Sequence, residues 1–86
     1  GKRSEYVKTD HSRIAVIGGG SWGTTLASLI CRNARVSLWA RDKSVVDEIN
    51  RSHTHDRYLP GLSLNPLMRA TTDLDAAVTE ADAILV

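Results

Sequence analysis

Three glycines, at positions 18, 20 and 23 in the run Ile17-Gly18-Gly19-Gly20-Ser21-Trp22-Gly23-Thr24, carry the clearest chemistry in this chain. The spacing Gly-x-Gly-x-x-Gly lets backbone wrap an anion, and the anion it suits is a dinucleotide pyrophosphate. Gly18 allows a sharp turn out of an extended run. Gly20 leaves room for backbone to approach the phosphates, and Gly23 lets the following helix lie close to the strand. The free N–H groups and positive dipole end of that helix then hold the negative charge. Ser21 can donate to a phosphate oxygen or cap the helix. Trp22 can shield the pyrophosphate or a nicotinamide, or simply pack.

Arg41 is the next position of interest. In folds that prefer NAD, an acidic residue near the end of the second strand takes the ribose 2′-hydroxyl, whereas an arginine there meets a 2′-phosphate. Arg41 therefore favours NADP, while Asp42 beside it leaves NAD open. The competing reading of Arg41 is an ordinary solvated side chain. His11, His53 and His55 lack the companion ligands that a metal site needs and read as solvated loop residues. Cys31 shares a helix face with Ala27 and reads as a small buried thiol. No serine, histidine and aspartate arrangement has motif support for nucleophilic catalysis.

These residues work only if strand, turn and helix follow in order, and the pattern provides that order. Residues 13–17 read as a short buried strand. Residues 22–32 read as a helix with Leu26, Leu29 and Ile30 on one face, stopped by a left-handed Asn33. Residues 35–40 form a second strand. Asp42 or Ser44 caps a second helix reaching about Arg51, with Val45, Val46 and Ile49 buried. Residues 52–70 have weak periodicity and hold both prolines, as a functional or mobile loop would. Residues 68–71 suggest a brief third strand. Thr72-Asp73-Leu74-Asp75 resembles a capping box opening a third helix with Leu74, Ala77 and Val78 inward. Ala83-Ile84-Leu85-Val86 reads as a buried strand. The expected class is α/β: an incomplete Rossmann-type, doubly wound parallel sheet, over residues 13–86. Residues 1–12 are expected to be a polar tail. A sheet ending within a buried strand reads as the N-terminal piece of a larger protein.

Composition narrows the partners. Eleven Lys and Arg against ten Asp and Glu give a net charge of +1, which offers no attraction to nucleic acid or an anionic membrane. No apolar run is long enough to span a bilayer, and no secretory signal is visible. A single cysteine cannot close an internal disulfide and fits a cytoplasmic setting.

The stretch Gly18-Gly19-Gly20-Ser21-Trp22-Gly23-Thr24-Thr25 resembles the glycine signature of bacterial NAD(P)-dependent glycerol-3-phosphate dehydrogenases. Leu38-Trp39-Ala40-Arg41-Asp42, then Ile49-Asn50 with Tyr58-Leu59-Pro60-Gly61, then Ala70-Thr71-Thr72-Asp73-Leu74 match in the same order. The resemblance implies NADP or NAD as cofactor, with Gly18, Gly20, Ser21, Trp22, Gly23, Arg41 and Tyr58 against it. It further implies hydride exchange between dihydroxyacetone phosphate and sn-glycerol 3-phosphate for lipid synthesis, and leaves a homodimer open. The chain departs from the family at His55, where an Asn is frequent, at Thr25, where Ala is, and in a turn at residues 33–35 one residue shorter than usual. The family's catalytic lysine and helical substrate domain lie beyond Val86, so no residue here takes a catalytic role. Two alternatives stay open: another NAD(P)-dependent dehydrogenase of the same fold, and a non-catalytic nucleotide-binding module.

Overall fold

The computed structural model describes residues 12–86. The polar tail expected over residues 1–12, apart from Ser12, lies outside the described residues, as does His11. Strands β1 (Arg13–Ile17), β2 (Arg35–Trp39), β3 (Arg69–Thr71) and β4 (Ala83–Leu85) alternate with helices α1 (Ser21–Ile30), α2 (Lys43–Ser52) and α3 (Leu74–Thr79). The sheet has the order β3-β2-β1-β4 and every pairing is parallel. Ile14 faces Val36 on one side and Ala83 on the other, so β1 is hydrogen-bonded along both edges. The expected doubly wound parallel sheet is the architecture observed. The strand expected to be buried at Ala83-Ile84-Leu85-Val86 is instead edge strand β4, with Ala83 and Ile84 exposed and Leu85 only partly covered, because no further strand among the described residues pairs with its outer side.

An inner strand covered by helices is mostly apolar, and Ala15 and Val16 of β1 and Val36 and Leu38 of β2 are buried. Val45, Val46 and Ile49 recur at helical spacing in α2 and enter the same core, as their pattern predicts. Val16, Leu38, Ile49 and Met68 are almost wholly removed from water. Each contributes roughly 1.5–3 kcal/mol of hydrophobic stabilisation relative to an exposed side chain.

Helix α1 differs from expectation. Its buried positions are Gly23, Thr24 and Ala27, followed by Cys31 just past its end, while Leu29 is exposed and Leu26 and Ile30 are only partly covered. Small residues win the inner face because the helix lies too close to the strands for large ones. Asn33 is not left-handed, since His53 is the only described non-glycine residue with positive φ. The last carbonyls of α1 instead accept tight-turn bonds, Asn33 N–H to Ile30 O at 2.9 Å among them, so no left-handed residue is needed. The cap of α3 is Asp73 rather than Thr72: its carboxylate accepts from the Ala76 N–H at 3.0 Å. Ala77 of that helix is buried, but Leu74, in the first exposed turn, is not.

The long connection between α2 and β3 is tied down. Leu64 and Met68 fill the core, and the Asn65 N–H donates to the Ser28 hydroxyl at 3.0 Å. From α2, Asn50 reaches edge strand β3 and pairs with both backbone groups of Ala70, at 3.0 and 2.9 Å. That double contact supplies the partners an edge strand lacks on its outer side.

Candidate cofactor-binding site

At the carboxyl end of β1 the chain makes its last sheet bond, Gly18 N–H to Trp39 O at 2.9 Å, and turns. Gly18 takes φ +118°, a conformation that side chains rarely adopt. The other constraints are spatial. A Cβ on Gly23 would fall on the Gly18 carbonyl oxygen, so Gly23 is what brings α1 against β1. A Cβ on Gly19 would lie 2.8 Å from the Ala40 Cβ, a close approach that the Gly-x-Gly-x-x-Gly spacing does not reveal. A Cβ on Gly20 would meet nothing within 4 Å: this position opens outward.

Gly20 is the N-cap of α1, and no side chain bonds to the first turn. The N–H groups of Ser21, Trp22 and Gly23 therefore have no partner within the helix, and no acidic side chain sits in that turn. Ser21 begins the helix and is exposed, so it does not serve as the cap. Trp22 is 67% exposed at the same mouth, so it does not pack into the core of the described residues. Donors, a positive dipole end and an exposed ring thus lie together at the start of α1.

Arg41 lies two residues past the end of β2, at the same end of the sheet, and is exposed with no hydrogen bond or ion pair among the described residues. Asp42 is committed elsewhere. Its Oδ1 accepts from the Ser44 N–H at 2.8 Å and from the Ser44 hydroxyl at 2.7 Å, and its Oδ2 lies 3.4 Å from Arg57. The Ser44 hydroxyl, then the Ser44 N–H, with Arg57 adding, hold its carboxyl below the usual carboxylate range. Of the two neighbours, the cation has no partner among the described residues and the anion is occupied.

Tyr58 reaches this end of the molecule through a histidine. Its half-exposed ring stands edge-on to His55, with centroids 5.1 Å apart and planes at 75°. His55 is fully buried, and its Nε2 lies 2.6 Å from the Gly19 carbonyl oxygen. The expectation of a solvated His55 is therefore wrong: the connection folds back and fills the space behind the glycine turn with this ring. His53 is also partly covered, and at φ 59° it ends α2 in the left-handed region. Glu48 secures the same segment, accepting from the Thr54 hydroxyl at 2.7 Å and the Asp56 N–H at 2.9 Å. The Thr54 and then the Asp56 bond hold its carboxyl low.

The structure thus gathers Gly18, Gly20, Ser21, Trp22 and Gly23 in one turn, sets Arg41 beside them at the end of the neighbouring strand, and links Tyr58 to them through His55. Sequence reasoning missed Gly19, His55 and Glu48. Only the departure from the family's frequent Asn marked His55, and nothing marked Glu48. A hollow of about 560 Å³ lies at the opposite end of the sheet, bordered by Arg13, Arg35, Arg69, Cys31 and Glu80, away from the glycine turn. Among the described residues no group of three or more His, Cys, Asp or Glu could hold a metal ion, and no helix is long and apolar enough to cross a membrane.

A parallel sheet with helices on both faces and a glycine turn leading from its first strand into an uncapped helix defines a dinucleotide-binding fold, whose ligands sit at the carboxyl ends of the strands. Residues 13–86 match the model of the NAD-dependent glycerol-3-phosphate dehydrogenase N-terminus, and the chain belongs to that family. It is 56% identical over 75 residues to a glycerol-3-phosphate dehydrogenase (NAD(P)+) of Xanthomonas oryzae, which covers 86% of this chain and 22% of the relative. A Stenotrophomonas maltophilia relative of the same name is 51% identical over 81 residues, covering 93% of this chain and 24% of the relative. The solved glycerol-3-phosphate dehydrogenase of Coxiella burnetii superposes with a TM-score of 0.73 at 35% identity, over 85% of this chain and 23% of that one. The chain therefore spans between a fifth and a quarter of the length of these relatives.

Proposed function

We propose that this chain is the cofactor-binding part of an NAD(P)-dependent glycerol-3-phosphate dehydrogenase that interconverts dihydroxyacetone phosphate and sn-glycerol 3-phosphate for glycerophospholipid synthesis. The observation that carries the reading is the mouth of α1, where three N–H groups without a partner among the described residues open beside Gly20 with no side chain to cap them. Gly18, Gly20 and Gly23 shape the cradle, and Ser21 adds a hydroxyl donor to the pyrophosphate. Trp22 and Tyr58 supply exposed aromatic surface for the rest of the dinucleotide. Arg41, with no partner among the described residues and next to an occupied Asp42, meets the 2′-phosphate of NADP, with NAD also accepted. The dinucleotide supplies the hydride, and this segment binds and orients it. A cytoplasmic location, a small phosphorylated substrate and a homodimeric parent belong to the same reading.

Turnover decides the activity. The full-length protein carrying this segment should oxidise NADPH when given dihydroxyacetone phosphate. Tight dinucleotide binding without that turnover would transfer the chain to another dehydrogenase of this fold. Cofactor choice is decided by Arg41→Glu, which should weaken NADP by roughly tenfold or more and leave NAD much less affected. Equal losses for both, or no change in either, would remove the 2′-phosphate role.

A further inference from the structure

We infer that His55 is a positioning residue: from behind the glycine turn it fixes the Gly19–Gly20 peptide so that the Gly20 N–H points out as a donor to the dinucleotide pyrophosphate. The inference rests on the dinucleotide reading above and adds a residue to it. A carbonyl oxygen only accepts, so the 2.6 Å contact requires the proton on His55 Nε2. His55 Nδ1 is buried and makes no hydrogen bond, so nothing else holds the ring's other nitrogen in place. The contact with Gly19 is then the polar interaction that orients the imidazole.

The consequence follows from peptide geometry. In a planar trans peptide the C=O and the N–H point in opposite directions. With the Gly19 C=O drawn inward to His55, the Gly20 N–H of the same peptide faces outward. It makes no backbone bond among the described residues, and the space beside Gly20 is open. The turn has freedom to do otherwise, because glycine flanks the peptide on both sides and glycine permits either orientation. His55 removes that freedom. It is held firmly enough to do so: its own C=O accepts from the Leu59 N–H at 2.8 Å, Glu48 ties down residues 54 and 56 on either side, and the Tyr58 ring closes over its edge.

Loss of the Nε2 donor leaves the partly buried Gly19 carbonyl without its partner. The peptide then rotates toward water and withdraws the Gly20 N–H from the anion. The test compares NADPH dissociation constants of the wild-type full-length protein, His55→Gln, whose amide nitrogen can replace Nε2, and His55→Leu, which has no donor. The inference predicts a roughly tenfold to hundredfold loss for His55→Leu, recovered to within a few-fold by His55→Gln. Unchanged affinity in His55→Leu, or an equal loss in both variants, would overturn it. If His55→Leu does not fold, the nitrogen-15 spectrum of wild-type His55 decides: a proton on Nε2 is expected, and an Nε2 without one contradicts the inference. A wild-type protein that binds neither NADPH nor NADH would instead refute the dinucleotide reading itself.

Discussion

Helices α1 and α2 both begin where an inner strand ends, at the same end of the sheet, yet they begin in opposite ways. The first turn of α2 is closed by its own chain: Asp42 caps it through the Ser44 N–H and hydroxyl and also holds Arg57. The first turn of α1 starts at a glycine and is left uncapped. A cap on α1 would satisfy its donors and add stability, so its absence leaves those donors available to an anion from outside. The contrast teaches which helix end is structural and which is reserved for a ligand, a distinction that glycine spacing alone does not make.

The sharpest way to break the contrast is to give α1 the cap that α2 has. Gly20→Asp places a carboxylate where the backbone is already extended and no atom lies within 4 Å of the new Cβ. Thermal denaturation should show the fold unharmed, while NADPH titration should show affinity reduced by about a hundredfold or more, because the carboxylate occupies the donors and repels the phosphates. Retained affinity would mean that the α1 mouth is not the anion site.

Gly23→Ala attacks the seating of α1. The added Cβ falls on the Gly18 carbonyl, backbone that cannot swing aside, so urea unfolding should report a loss of about 3 kcal/mol. Gly19→Ala brings its Cβ to 2.8 Å from the Ala40 Cβ, an overlap with an equally fixed atom but a smaller one, and should cost less, about 2 kcal/mol. If the two rank in reverse, the close approach of α1 to β1 is misassigned.

The smallest effect belongs to the closed end. Asp42 and Glu48 both have carboxyls held below the usual range in the folded chain. Stability from such groups is present above the unfolded carboxylate range and drains away as pH falls through the lower folded values. The urea midpoint should therefore decline below about pH 4.5, and Asp42→Asn should flatten part of that decline. Dinucleotide affinity near neutral pH should change little in Asp42→Asn, since Asp42 serves α2 rather than the ligand. A steep loss of affinity in that variant would give Asp42 a role at the ribose.

What the sequence made legible follows the same division. The strands, the glycine turn and the apolar stripe of α2 were readable because their periods are local. The inner face of α1 was not, since Leu29 lost to Ala27 only through the close approach that Gly23 permits. His55 was read as solvated because its burial depends on a connection folding back by way of Glu48, Leu64 and Met68, contacts no spacing encodes. The Rossmann-type class and the family were thus visible early. The support behind the turn emerged only from tertiary structure.

The central claim is that the uncapped mouth of α1 holds the dinucleotide, and an amide spectrum of the protein titrated with NADPH tests it most directly. The account predicts that the largest shifts fall on the N–H groups of Gly20, Ser21, Trp22 and Gly23, while Ser44 and Val45 at the capped start of α2 move far less. Shifts centred on the start of α2, or on Arg13, Arg35 and Arg69 at the far end of the sheet, would contradict it.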